Sequence, residues 1–232
     1  MAHPAQIDVE ATHRLIPSQY ADGSVFETLS LPPEVVFELR ELDAATNQRK
    51  LAERGRTASI GAGELLLGVP EWQIINAAFG HPGPAGGRFH DTRRGAWYAG
   101  VELETSFAEV AYHKRRFLED SRFTGPMNFE YQDFLADFSG EFSHLDDIDR
   151  DRCLGPEPVP ECYGAGQALA NALLYSGSNG IVYPSVRNDG ATCIACFRPA
   201  LVFRCRRGRR YTLPVVAGVP WNDHHVEQVV GS

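Results

Sequence analysis

The chain has 232 residues, 43% hydrophobic and 22% charged, which suits one large domain with a packed core. Its formal net charge of −8 argues against a general nucleic-acid-binding surface, and no apolar run approaches the roughly 20 residues of a membrane span. The N-terminus lacks the charged-then-apolar pattern of a signal peptide, so the cytoplasm is the expected location.

Residues 1–12 are polar and are expected to fray. His13-Arg14-Leu15-Ile16 reads as a short strand ending at Pro17, with Arg14 by default a surface charge at its end. Pro32 and Pro33 open a helix in which Val35, Val36, Leu39, Leu42 and Ala45 keep helical spacing, and Gly55 stops it. Thr46-Asn47-Gln48-Arg49 is a polar patch on that helix, facing solvent or capping a break. Gly61, Gly63 and Gly68 do not form a G-x-G-x-x-G, and neither a Rossmann-type dinucleotide site nor a P-loop is supported. A short helix is predicted over Pro70–Phe79, with Trp72, Ile75 and Phe79 turned inward. The loop HPGPAGG then leads to Arg88.

From Met127 to Phe142, aromatics alternate imperfectly with polar residues, as in β-structure. Asp146, Asp147, Asp149 and Asp151 lack the glycine and terminal glutamate of a calcium loop, so a solvated turn is expected. A further helix is predicted from Gly164 to Tyr175, with Leu169, Ala172 and Leu173 on one face and Gly177 as its stop. Gly180 to Tyr183 reads as a buried strand that Pro184 interrupts. Ser185 follows it, either as a turn serine or with its hydroxyl in a cleft.

The five cysteines are an odd number, which argues against a disulfide framework. Cys193-x-x-Cys196 sits in an apolar β-type run with no second pair at zinc-finger spacing, so buried strand cysteines are expected rather than a metal site. Thr192 to Leu213 reads as two strands joined by a basic hairpin, Arg206-Arg207-Gly208-Arg209-Arg210, with a solvated tip. The terminal His224-His225-x-Glu227 carries no metal assignment. Short strands mixed with helices, without β-α-β alternation, predict an α+β fold.

The stretch from Gly86 to His113 carries the chemistry. A glycine turn brings Arg88, a β-type run from Ala96 to Gly100 brings Tyr98, and an amphipathic helix brings Glu109. Ser106-x-x-Glu109 also reads as a capping box, in which case Glu109 closes the helix N-terminus. Tyr98 in turn fits a core aromatic on a strand. A lone carboxylate does not fit the two-acid glycosidase scheme, and no nucleophile elbow is present. A carboxylate does stabilise the positive charge that develops on a ribose when its glycosidic bond breaks. An arginine holds a diphosphate or ribose, and a tyrosine ring stacks on a planar base. The set suits cleavage at the anomeric carbon of a nucleotide such as NAD.

The order Gly86-Gly87-Arg88-Phe89, Tyr98 ten residues on, and Glu109 eleven later resembles the RES-domain family. His13-Arg14 early in the chain and Gly180 to Ser185 late in it extend the resemblance from about residue 13 to 205. It implies a single domain over residues 1–232 with an ADP-ribosyltransferase-like mixed β core and surrounding helices. It also implies an NAD-degrading toxin that cleaves the nicotinamide–ribose bond, with water or phosphate as acceptor and NAD as substrate rather than cofactor. A cognate Xre-like antitoxin would plug the site; a homo-oligomer is compatible, whereas membrane or direct nucleic-acid binding is not expected. Protein ADP-ribosylation and non-catalytic nucleotide binding are the alternatives.

On this resemblance Arg14 and Arg88 bind the NAD phosphates or ribose, and Tyr98 stacks on or orients nicotinamide. Glu109 holds the nicotinamide ribose and stabilises the oxocarbenium-like transition state, while Ser185 adds a hydrogen bond. Arg88, Tyr98 and Glu109 form the catalytic set. Phe89-His90 stands where the family pattern more usually has Trp-Asn. A helical insertion at about 31–79 separates Arg14 from Arg88, in a position to cover the site, dimerise or bind the antitoxin.

Overall fold

A computed structural model describes residues 2–21, 60–156, 158–221 and 226–229. The predicted helix from Pro32 to Gly55, with its polar patch, lies outside the described residues, as does the His224-His225 pair.

The N-terminal residues do not fray. Strand β1 runs from His3 to Pro17. It pairs antiparallel with β3 (Pro126–His144) from His3 opposite His144 to Pro17 opposite Tyr131. A bulge between Val9 and Thr12 breaks the ladder. There Ala11 takes a positive φ of 54°, and its N–H donates to Asp137 Oδ1 at 2.7 Å. A buried carboxylate thus takes up the donor that the bulge releases. The polar residues that suggested fraying sit on a strand whose partner lies more than a hundred positions away.

The other elements are helix α1 (Ser18–Ala21), α2 (Trp72–Gly80), β2 (Trp97–Gly100) and α3 (Leu103–Asp120). After β3 come α4 (Asp147–Cys153), α5 (Gly164–Tyr175), β4 (Gly180–Pro184), β5 (Thr192–Cys196), β6 (Phe203–Val216) and β7 (Glu227–Val229). The sheet order is β1-β2-β5-β4-β3-β6-β7, and the additional β1–β3 pairing closes five of the seven strands into a ring. Among the described strands only the short β3–β4 contact is parallel. The fold is α+β, as the mixture of elements predicts.

Trp97, Phe134, Phe138, Phe142, Ile194 and Cys196 pack on one face of the ring with Ile75 and Phe79 of α2. Phe89, Ile181, Tyr183, Cys193 and Ala195 pack on the other, against α5. Phe107, Ala111 and Leu118 of α3 cover Leu15, Tyr131, Leu213 and Val215. Cys193 and Cys196 are both buried and belong to opposite faces of the sheet, so they cannot converge on one ion. The helix from Gly164 to Tyr175 matches its predicted bounds and ends where Gly177 takes a φ of 92°.

Two further readings are corrected. The acidic run is not a turn but the start of α4, where the Asp146 side chain caps the helix by accepting from the Asp149 N–H at 2.8 Å. The arginine run is not a hairpin tip; it lies inside β6, paired with β3 on one edge and β7 on the other. Its charges have distant partners: Arg207 bonds Glu71 at 2.9 Å, and Arg210 bonds Gln132 at 3.1 Å. The turn between β5 and β6 is the 3₁₀ segment Pro199–Leu201.

Candidate active site

β1 and β2 pair at a single position, His13 opposite Gly100. Beyond it the strands part, and a cavity of about 330 Å³ opens between them, with α3 as one wall. Arg14, Arg88, Tyr98 and Glu109 all line it. Ser185 lies outside the lining and touches it through Glu109. All five residues singled out from the sequence therefore meet at one place.

Arg14 bridges the parted strands. Its Nη1 donates to the Tyr98 carbonyl at 3.1 Å, and its guanidinium lies 4.9 Å from the centre of the Trp97 ring. Burial brings its pKa down to about 10, still charged at neutral pH. Its Nε is buried and has no hydrogen-bond partner among the described residues. Arg88 is 8% exposed. Its Nη1 donates to the carbonyls of Cys153 (2.7 Å) and Gly155 (3.0 Å), tying the glycine turn to the end of α4. The guanidinium lies over the Tyr163 ring at 5.1 Å.

The glycine turn is built around the Tyr98 hydroxyl. It accepts from the Phe89 N–H at 2.8 Å and shares a hydrogen bond of 2.9 Å with His90 Nδ1. A Cβ at Gly87 would lie 2.5 Å from His90 Cε1 and 3.1 Å from that hydroxyl, so no side chain fits there. Burial, with Arg14 nearby, lowers the His90 pKa to about 4, which leaves the imidazole neutral at physiological pH. Burial also raises the Tyr98 pKa, which keeps the phenol protonated. The Tyr98 hydroxyl is thus engaged in holding the turn, and its ring lines the cavity.

Glu109 is not part of a capping box. Helix α3 begins at Leu103, one turn before Ser106. The Ser106 hydroxyl instead donates to the His13 carbonyl (2.7 Å) and accepts from the Gly100 N–H (3.2 Å), clamping α3 onto β1 and β2. This approach requires Gly100, where a Cβ would fall 2.8 Å from Ser106 Oγ and 2.9 Å from the Glu102 carbonyl. Glu109 sits in the second turn, with its carboxylate directed to a side-chain partner. Oε1 accepts from Ser185 Oγ at 3.3 Å. Burial raises the Glu109 pKa, opposed by the charges of Arg187 and Arg88 and by the Ser185 bond.

Ser185 is a turn serine that reaches the cleft only through Glu109. Its hydroxyl accepts from the backbone N–H groups of Arg187 (3.2 Å) and Asn188 (3.1 Å) while donating to Glu109. Arg187 was not singled out from the sequence. It stacks on Tyr112 at 3.4 Å, donates to the Pro156 carbonyl at 2.7 Å, and puts a second positive charge near Glu109. The available signal was a basic residue two positions after a serine that follows a strand-breaking proline. His13 also lines the cavity, with Nδ1 2.8 Å from Asp133 Oδ2. Among the described residues no cluster of His, Cys, Asp and Glu is arranged to hold a metal ion, and no helix is long and apolar enough to cross a membrane.

The site therefore places one carboxylate of raised pKa near guanidinium groups and tyrosine rings, in a cleft lined by β1, β2 and α3. That arrangement suits a ligand that is anionic along its length and gains positive charge at one carbon. A family model described as RES domain matches residues 66–215, more than half of the chain. The matched span contains Arg88, Tyr98, Glu109 and Ser185, while Arg14 precedes it. Curated proteins give no match. Among solved structures the chain is similar to one in the crystal structure of the M. tuberculosis MbcT–MbcA toxin–antitoxin complex. That similarity has 16% identity and a TM-score of 0.39, over 68% of this chain and 80% of that one.

Proposed function

This chain belongs to the RES-domain family, and from that premise we propose that it cleaves the nicotinamide–ribose bond of NAD, with water or phosphate as acceptor. The observation that carries the reading is Glu109: a carboxylate inside the cleft, held by a serine hydroxyl and, among the described residues, in no direct ion pair. Such a group is matched to a cation that forms and disappears during a reaction.

In the proposed reaction the bond between C1′ and the nicotinamide nitrogen breaks, and its electron pair goes to the ring, cancelling the ring's positive charge. The positive charge passes to C1′ and the ribose oxygen, where the Glu109 carboxylate stabilises it. A water or phosphate oxygen then bonds to C1′; water releases its proton to solvent. Arg14 and Arg88 hold the phosphates or ribose through the N–H groups that the protein does not use. The Tyr98 ring orients nicotinamide. Ser185 is a positioning residue: it aims the carboxylate and favours its charged form.

We place this activity in a toxin that is neutralised by a small helical antitoxin of Xre type closing the cleft. The basis is the family resemblance. Incubating the purified chain with NAD labelled in the adenylate half tests the reaction. Release of nicotinamide together with free labelled ADP-ribose, or its 1-phosphate when phosphate is supplied, is the expected result. Label fixed on a protein in cell extract would instead identify protein ADP-ribosylation, and intact NAD would refute both.

A further inference from the structure

Hydrolysis at C1′ leaves a proton to be taken up, because the water oxygen that bonds to the carbon must give one up. Among the described residues two imidazoles line the Glu109 cleft, those of His13 and His113. His13 stands on β1 with its Nδ1 bonded to Asp133 of β3 at 2.8 Å. His113 stands on α3 four residues after Glu109, so the two side chains leave one helix face with their Cβ atoms roughly 5–6 Å apart. Its ring lies edge-on to Tyr112 at 5.3 Å, and neither ring nitrogen has a hydrogen-bond partner among the described residues. His113 is also exposed where it lines the cleft, so water reaches the ring from solvent.

We propose that His113 is the general base of the hydrolytic branch, taking the proton of the acceptor water as its oxygen bonds to C1′; this rests on reading the Glu109 cleft as the site of NAD cleavage. The water oxygen forms the bond to C1′ with its own electron pair, one O–H bond breaks, and the proton goes to a ring nitrogen of His113. The imidazolium then hands it to the solvent that reaches the ring. Desolvation by the cleft walls, then the charges of Arg187, Arg88 and Lys114, lower the His113 pKa to about 4, so the ring is neutral at physiological pH and free to accept. Such an imidazole is a weak base. A water oxygen bonded to a cationic carbon is strongly acidic, however, and a weak base is enough to deprotonate it. The Arg187 and Arg88 charges that keep His113 neutral also favour the Glu109 carboxylate. One field thus divides the roles: Glu109 keeps its charge for the cation and its Oε1 for Ser185, and the proton goes to the imidazole one turn away.

Competition between water and azide isolates this step from bond cleavage, since azide bonds to C1′ as an anion and has no proton to lose. The wild-type chain, His113→Ala and His113→Gln are given NAD with azide at a concentration at which the wild type forms both ADP-ribose and ADP-ribosyl azide. The ratio of ADP-ribose to the azide product should fall about a hundredfold in both variants, the lower end of what a general base contributes. Glutamine keeps a hydrogen-bonding group in place and cannot take the proton, so its agreement with alanine separates base catalysis from mere placement of the water. A purely structural role lowers both products together and leaves the ratio where it was. A fall smaller than about tenfold in either variant would overturn the assignment. NAD cleavage with an unmoved ratio would leave the proposed reaction standing without His113, whereas no cleavage by the wild type would refute the reaction and the base with it.

Discussion

Replacing Ser185 by alanine tests how the cleft is wired. The serine hydroxyl gives Glu109 its hydrogen bond at 3.3 Å and accepts the N–H groups of Arg187 and Asn188. A hydrogen bond to a charged group contributes about 1.5–3 kcal/mol, and at this length the lower end applies, so kcat/KM for NAD should fall about tenfold at neutral pH. The two released N–H groups lie in a partly open turn and should cost about 1 kcal/mol of stability between them. The pH dependence carries the sharper information. In the proposed reaction Glu109 acts as a carboxylate, so activity should rise with pH through its pKa, which burial already raises and the Ser185 bond holds down. Removing that bond should move the acidic limb of the kcat/KM profile to higher pH. Rate profiles and urea denaturation of both proteins give the two quantities. A tenfold loss with an unmoved acidic limb would show that Ser185 does not act through Glu109, and the wiring would be wrong.

Gly87→Ala should lower stability by about 1–3 kcal/mol, because its Cβ meets the His90 ring and the Tyr98 hydroxyl; Gly164→Ala, where an added Cβ meets nothing within 4 Å, is the control in thermal unfolding. Arg88→Lys loses the shared hold on Cys153 and Gly155, so hydrogen exchange should quicken over residues 153–156 while KM for NAD rises. Unchanged exchange there would show that the tether is not needed. His90 contributes a pH-dependent stability: its pKa falls from 6.5 to about 4 on folding, so the contribution is complete above 6.5 and drains away as pH falls toward 4. The loss is on the order of 3 kcal/mol at most, and His90→Gln should lessen the slope of the stability curve in that window, leaving the part from His113, whose pKa burial also lowers to about 4. An identical curve for the variant would place the titration elsewhere.

Much of the site was legible because its members are local signals. A double glycine before an arginine, a tyrosine on a short strand and a glutamate on an apolar-faced helix are each recognisable within a few residues. Their convergence follows from consecutive elements meeting at the end of one sheet. What failed depended on distant partners. The polar stretch before Thr12 looked unstructured because its stabilising strand is β3, joined to it by antiparallel pairing across more than a hundred residues. The arginines of β6 looked like a solvated tip because Asp137, Glu71 and Gln132 are invisible from their neighbourhood. Gly208, which suggested a turn, is instead required where a Cβ would come 2.8 Å from Asp133 Oδ2.

Ser106 shows the same limit at closer range. The pattern Ser-x-x-Glu marks a helix start only if the chain turns there, and here the helix has already begun at Leu103. The hydroxyl serves β1 and β2, and the glutamate is left for the cleft. The local pattern favoured a structural Glu109; the tertiary contacts remove that role. Arg187 escaped notice for the opposite reason, since its stacking on Tyr112 and its field at Glu109 arise only when β4 and α3 come together.

In the proposed reaction Glu109 stabilises the cation formed as NAD loses nicotinamide. The most direct measurement is nicotinamide release by the wild-type chain and by Glu109→Gln, which keeps the shape and removes the charge. Removing one preorganised group of this kind lowers turnover by about a hundredfold to a thousandfold, and that loss with little change in thermal stability is the expected result. A loss of less than about tenfold, below the range for such a group, would contradict the account.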